Sequence, residues 1–263
     1  MKIGFIGCGN MGAALAAAAS KAEGVKLYLA DRDEAKCREL AGVLGATVTD
    51  NESVAREADI IFLAVKPNII ATVAEEIKST VKGRRVTVVT MAAGVAISKL
   101  ETILGAEQPI IRIMPNTPSL VGKGMILWCK NGAVSDEAES TFISALRAAG
   151  ELMPIAEGQI DAASAISGCG PAFVYMFADA LATGGVASGL TREVALKLAA
   201  ETAIGACEMI KQTGKHPDKL RDEVCSPGGS TIEGVLALEN GAFRSTVCDA
   251  VIASYEKTKR LGK

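Results

Sequence analysis

The chain has 263 residues, above the roughly 100–150 of a typical domain, which favours two domains and a core large enough to need no staples. Hydrophobic residues make up 49% but aromatics only 4%, with 27 glycines, a composition suited to closely packed helices and buried parallel strands. The net charge of −2 is mixed along the chain, leaving no basic stripe for nucleic acid and no acidic tail for a disordered partner arm.

Lys2–Ile6 is a short apolar run followed by Gly7-Cys8-Gly9-Asn10-Met11-Gly12 and an Ala/Leu-rich helix to about Ala22. Met1–Ser20 superficially imitates a secretory signal, but Gly7, Gly9, Asn10 and Gly12 interrupt its apolar part, so it reads as structure. Lys26–Ala30 returns to strand and ends at Asp31. Asp33–Leu44 reads as helix with Leu40, Val43 and Leu44 on one side. Strands follow at Ile60–Val65, Arg85–Val89 and Ile110–Met114, separated by helical stretches 70–81 and 97–104. This alternation predicts a parallel sheet covered on both faces.

Beyond about Ala156 only helical patterns remain. Over 191–213, Ala195, Leu198, Ala199, Thr202, Ala203, Ala206, Met209 and Ile210 recur at helical spacing. Gly170–Ala187, Thr231–Glu239 and Ala242–Leu261 are also expected as helices. The reading is therefore an α/β Rossmann-type dinucleotide-binding domain over 1–155 and an all-helical domain over 156–263. No apolar run reaches the roughly 18–20 residues of a membrane span. The seven cysteines (Cys8, Cys37, Cys129, Cys169, Cys207, Cys225, Cys248) form no C-x-x-C pair, and one histidine offers little for a metal, so none is expected. Free thiols suit the reducing cytoplasm.

The G-x-G-x-x-G has the context its chemistry needs, a strand before it and a helix after it. Gly7 permits a tight turn, Gly9 lets backbone approach a pyrophosphate, and Gly12 lets helix pack on strand. The helix N-terminus offers unpaired amides to phosphate. Asp31 could accept hydrogen bonds from an adenosine ribose, favouring NADH. Arg32 could instead grip a 2′-phosphate, favouring NADPH, or stack on adenine. The balance leans slightly to NADPH. Ala64-Val65-Lys66-Pro67 and Met91-Ala92-Ala93-Gly94 end strands, where a parallel sheet opens its ligand crevice. Lys66 reads equally as a backbone wall along the cofactor or as a surface cation.

In the helical half, Ser226-Pro227-Gly228-Gly229-Ser230-Thr231 leads straight into a helical pattern. Successive exposed amides there could form a nest for a carboxylate, with an ordinary N-capped helix as the alternative.

"DEVCSPGGSTIEGVLALE" resembles the C-terminal signature of the pyrroline-5-carboxylate reductase family. "IGFIGCGNMG", "IIFLAVKP", "AAGV", "IRIMPNTP" and "AISGCGPAF" fall in that family's order and spacing, covering essentially the whole chain. The resemblance implies hydride transfer from NAD(P)H to the C=N bond of 1-pyrroline-5-carboxylate, giving L-proline in the final step of proline biosynthesis. It implies a substrate carboxylate held by the amides of Gly229, Ser230 and Thr231, with Ser226 and Gly228 shaping the loop. The Thr231 hydroxyl is carried over as the hydrogen-bond partner of the ring nitrogen and is the expected catalytic group. Cofactor contacts are carried over to Ile6, Gly7, Cys8, Gly9, Asn10, Met11 and Gly12, the position after the second strand, Asn51, Ala64–Pro67 and Met91–Ala93. The resemblance also implies a homodimer or higher homo-oligomer joined through the helical domain, with neither nucleic acid nor membrane as partner. Such a cyclic imine can arrive already protonated, and the only histidine, His216, sits in a Lys-His-Pro turn and reads as structural.

Cys169, Phe173 and Met91 depart from the family's usual residues and bear on affinity and cofactor preference. A reductase of another cyclic imino acid, such as the six-membered homologue, is one rival reading. A non-catalytic dinucleotide-sensing protein is another. A β-hydroxyacid-type dehydrogenase pairs similar domains but relies on a lysine in its helical half and has no counterpart of "SPGGST".

Overall fold

The computed structural model describes residues 1–261. Its first unit is built on an eight-stranded sheet. In chain order come β1 (Lys2–Ile6), α1 (Asn10–Ala19), β2 (Lys26–Ala30), α2 (Glu34–Leu44), β3 (Thr47–Val48) and α3 (Asn51–Glu57). They are followed by β4 (Ile60–Leu63), α4 (Ile70–Val81), β5 (Thr87–Thr90), α5 (Ile97–Leu104) and β6 (Ile110–Met114). After a 3-10 turn at Thr117–Val121 come β7 (Gly124–Lys130), α6 (Asp136–Leu146), β8 (Gly150–Pro154) and α7 (Ile160–Ser167).

The strand order is β3-β2-β1-β4-β5-β6-β7-β8. The strands read from the sequence, β1, β2, β4, β5 and β6, pair in parallel as expected, and the sheet departs from this at β7, which runs antiparallel to β6. The cause is the connection: the Thr117–Val121 turn reverses the chain without the crossover helix that a parallel partner requires. A crossover returns with α6, and β8 is again parallel to β7. Several predicted bounds also shift, three of them in this unit by two residues or more at one end. The first helix stops at Ala19, the fourth strand at Leu63, and the fifth spans Thr87–Thr90.

Alternate strand residues feed two cores. Ile3, Phe5, Phe62, Ile111, Ile113 and Trp128 pack with α1, α2 and α6 on one face. Ile6, Ile61, Leu63, Val88 and Ile110 pack with α3, α4 and α5 on the other. Phe5 and Phe62 stack across β1 and β4 at 4.6 Å. Helix starts follow their caps: Asp33 accepts from the Lys36 amide and Asp50 from the Ser53 amide. The predicted apolar side of α2 is corrected at Val43, which is exposed; Cys37 and Ala41 carry the buried contact, flanked by Leu40 and Leu44.

The sheet ends at Pro154, yet the compact unit around it runs to Gly168 and takes in Ser254–Leu261. Buried Arg112 on β6 explains the extension to Gly168. Its guanidinium reaches Glu157 at 3.3 Å and Asp161 at 3.2 Å, holding the start of α7 to the sheet.

The second unit, Cys169–Ala253, is helical. It contains α8 (Gly170–Ala187), α9 (Arg192–Thr213), α10 (Pro217–Val224) and α11 (Ser230–Asn240), and α12 (Phe243–Leu261) begins in it. Thr191 caps α9, and His216 caps α10 by accepting from the Asp218 amide at 3.2 Å. Its only buried cluster is Ala182, Ala195 and Ala199, where Gly185 lets α8 and α9 approach. The predicted apolar stripe of α9 is therefore mostly uncovered within one chain, with Leu198, Met209 and Ile210 exposed. The expected lack of a span-length apolar stretch is corrected in length alone: Glu157–Ala187 is long and apolar enough for a span by composition, at mean hydropathy 1.3. It is nevertheless interrupted, since α7 ends at Ser167 and α8 begins at Gly170.

Candidate active site

The order of strands reverses between β1 and β4, and ligands of open α/β sheets bind outside the carboxyl ends of strands at such a point. The glycine loop lies there. Gly7 takes φ +106°, a conformation that disfavours any side chain, and donates its N–H to the Ala30 carbonyl at 2.8 Å. A Cβ on Gly7 would strike the Ala64 carbonyl, and one on Gly12 would strike the Gly7 carbonyl. Gly9 is different, because open space lies where its Cβ would stand. It is also the N-cap of α1, has no capping side chain, and is followed by no acidic residue in the first turn. These features fit a pyrophosphate: room at Gly9, free amides at the start of α1, and the positive end of its dipole.

The other predicted cofactor residues line the same carboxyl edge. Ala64 extends the β4–β1 ladder by donating to Ile6 at 2.8 Å, after which Val65, Lys66 and Pro67 leave the sheet. Lys66 and Pro67 are exposed, and the Lys66 carbonyl accepts from the Ile69 amide at 2.9 Å. Met91, Ala92 and Ala93 follow β5; Ala92 is buried and Ala93 exposed. Asn51 opens α3, where its side-chain amide donates to Glu76 at 2.8 Å. Arg32 is exposed. Asp31 has a role that sequence reasoning missed. Its carboxylate accepts from the Cys8 amide at 2.5 Å and from the Asp33 amide at 2.9 Å. Cys8 and Cys37 are buried with sulfurs 3.7 Å apart, and burial pushes the Cys8 thiol up to about 12.

In the second unit, Ser226–Gly229 closes a turn between α10 and α11. Gly228 has φ +67°, and the Gly229 amide donates to the Ser226 carbonyl at 3.0 Å. The amide that the resemblance assigns to a ligand is thus used by the turn itself. Gly229 is the N-cap of α11 without a capping side chain, so the open donors begin with Ser230 and Thr231, both exposed. Glu233 is the acidic residue of that first turn. Arg244 of α12 holds the flanking helices by binding Asp218 at 2.9 Å and Glu239 at 2.7 Å. Its hydrogen bond holds the Asp218 carboxyl below the usual range. No motif marked Arg244 in the sequence, because a lone arginine at a helix start carries no pattern.

A cavity of about 600 Å³ near the end of β7 is lined by Trp128, Cys129, Lys130, Glu139 and Glu157, among others. None of the predicted site residues lines it, and its lysine and Glu139 are already paired at 2.6 Å. Among the described residues no cluster suited to a metal occurs.

Comparisons with known proteins agree with both halves of this description. Residues 157–261 match a family model described as pyrroline-5-carboxylate reductase dimerisation, and residues 2–94 match one described as NADP oxidoreductase, coenzyme F420-dependent. The chain is 40% identical over 266 residues to the pyrroline-5-carboxylate reductase of Escherichia coli K12, covering 100% of this chain and 98% of that one. The crystal structure of Plasmodium falciparum pyrroline carboxylate reductase with NADP bound is similar at TM-score 0.87 and 36% identity, covering 100% of this chain and 98% of that one. The structure of the Coxiella burnetii pyrroline-5-carboxylate reductase is similar at TM-score 0.90 and 33% identity, covering 99% and 98%.

Proposed function

The chain belongs to the pyrroline-5-carboxylate reductase family, and from that membership we propose how its residues divide the work. It is an NAD(P)H-dependent oxidoreductase that reduces the C=N bond of 1-pyrroline-5-carboxylate to L-proline, the last step of proline biosynthesis. It functions as a homo-oligomer through the helical region that the dimerisation model covers. The exposed apolar residues of α8 and α9, among them Met176, Leu198 and Ile204, are our candidates for the subunit contact.

We assign dinucleotide binding to 1–155 and substrate binding to 156–263. The cofactor supplies a hydride when bound. Gly9 and the first amides of α1 hold its pyrophosphate, Gly7 and Gly12 keep the loop close to β4, and Ala64–Pro67 and Met91–Ala93 wall the crevice. The free N-terminus of α11 is the observation that carries the substrate assignment. Ser230 and Thr231 amides, aided by the helix dipole, hold the carboxylate. The Thr231 hydroxyl orients the ring nitrogen. Since that nitrogen can arrive protonated, the chain needs no buried acid, and its contribution is placement of the two partners. We place the protein in the cytoplasm, where its cysteines, all free, suit a reducing compartment.

The test is oxidation of NADPH and NADH on adding 1-pyrroline-5-carboxylate, with proline formed in equal amount. A parallel assay uses the six-membered homologue. Faster turnover of the larger ring would reassign the substrate, and no turnover of either would overturn the reading.

A further inference from the structure

We infer that Asp31 is a positioning residue for the phosphate-binding loop and not the group that selects between NADH and NADPH. The inference rests on the reading of Gly7–Gly12 as the dinucleotide loop. An acidic residue ending the second strand would ordinarily be assigned to the ribose hydroxyls. Here each oxygen already accepts a backbone amide, which fixes the orientation of the carboxylate. Oδ2 accepts from the Cys8 amide at 2.5 Å and Oδ1 from the Asp33 amide at 2.9 Å.

The end of β2 thus holds two successive loop amides, Gly7 by the Ala30 carbonyl and Cys8 by the Asp31 side chain. Cys8 is only 1% exposed, so its N–H has no water to turn to if the carboxylate leaves. Rotating Asp31 towards a ribose would orphan that buried amide just before Gly9, where the pyrophosphate must approach. A bond that sets the loop serves every dinucleotide alike, because the pyrophosphate is common to both. The selecting charge is then left to a group that reaches the 2′ position, and exposed Arg32 is the adjacent cation.

The experiment uses full-length wild type, Asp31→Ala and Asp31→Asn, with NADPH and NADH titrated by nicotinamide fluorescence. Alanine should weaken both cofactors about ten-fold or more while the ratio between them stays within about two-fold. Asparagine keeps one acceptor for the Cys8 amide and should recover most of the loss for both. In turnover the defect should appear in the cofactor KM, with far less change in kcat or in the KM for the imine, which a general folding defect would not reproduce. A ratio moved about ten-fold or more towards NADPH in either variant would make Asp31 a ribose ligand and overturn the inference. If alanine does not fold, asparagine decides by the same ratio. Wild type that binds neither cofactor would overturn the loop reading and this inference together. Failure to reduce the imine despite cofactor binding would touch only the substrate.

Discussion

The Gly229 amide donates to the Ser226 carbonyl at 3.0 Å, so the turn proposed to hold the substrate uses one of its own donors. The bond closes the turn through Gly228, whose φ of +67° suits glycine. Its effect is to aim the chain into α11 with the Ser230 and Thr231 amides leading. The hydroxyl of Ser226 fills the space beside Gly229, where a side chain would collide with it.

Gly229→Ala should therefore damage the site without backbone strain, because φ −79° and ψ 170° are open to alanine. The methyl displaces the Ser226 hydroxyl and crowds the Ser226 carbonyl. We expect the imine KM to rise about ten-fold with cofactor binding unchanged. Adding Ser226→Ala should recover part of the loss by making room. Steady-state kinetics of the single and double variants check this, and a double variant as poor as the single would rule out the collision.

Arg32→Ala should separate the two cofactors. If the exposed guanidinium grips a 2′-phosphate, NADPH binding weakens by about 1–3 kcal/mol and NADH hardly changes. Equal loss for both would leave adenine stacking as its role.

The two cores and the glycine loop were legible because they rest on local pattern. Apolar runs such as Ile60–Leu63 are buried on both faces, and Gly7 and Gly12 stand where a side chain would collide with backbone, while Gly9 faces open space. What escaped depends on partners far along the chain. The edge strand β8 is largely exposed and ends in Pro154, so neither an apolar run nor alternation marks it. Strand β7 does carry a local apolar run, Met125–Cys129, but its antiparallel direction is set by pairing with β6. Helix α3 has only seven residues, too few for a visible stripe. At the site, residue types indicated which groups could bind, but not that Asp31 and the Gly229 amide were already engaged.

The Cys8 thiol should make stability fall in alkali. Burial raises it from an ordinary 9.0 to about 12, so between these values the unfolded chain loses a proton that the folded chain keeps. The unfolded state then binds fewer protons, and stability declines with rising pH by up to about 1.4 kcal/mol per unit. Below pH 9 the contribution is fully present. Urea midpoints at pH 8, 9.5 and 10.5 should fall less steeply in Cys8→Ala, though buried Cys37 retains a similar, smaller effect. Parallel slopes for the two proteins would show that Cys8 is not protected. In the same spirit, native protein should resist alkylation at Cys8 and Cys37 until denatured.

Thr231 is where the chemistry of the turn is tested most directly. The amides of Ser230 and Thr231 can hold a carboxylate, but among the groups at this turn a hydroxyl is needed to meet the ring nitrogen. Thr231→Ala leaves the turn, its glycines and both amides in place, so carboxylate binding should persist. It removes one hydrogen bond to a polar or charged nitrogen, costing about 1–3 kcal/mol, or roughly ten- to a hundred-fold in kcat/KM. Abolition is not expected, because the substrate can supply its own proton as an iminium. Thr231→Ser restores the hydroxyl and gives up only a methyl, so it should recover most of the activity. Steady-state kinetics at fixed NADPH distinguish the cases. Alanine equal to wild type would remove the hydroxyl from the mechanism, and serine as poor as alanine would transfer its role to the packing of the methyl.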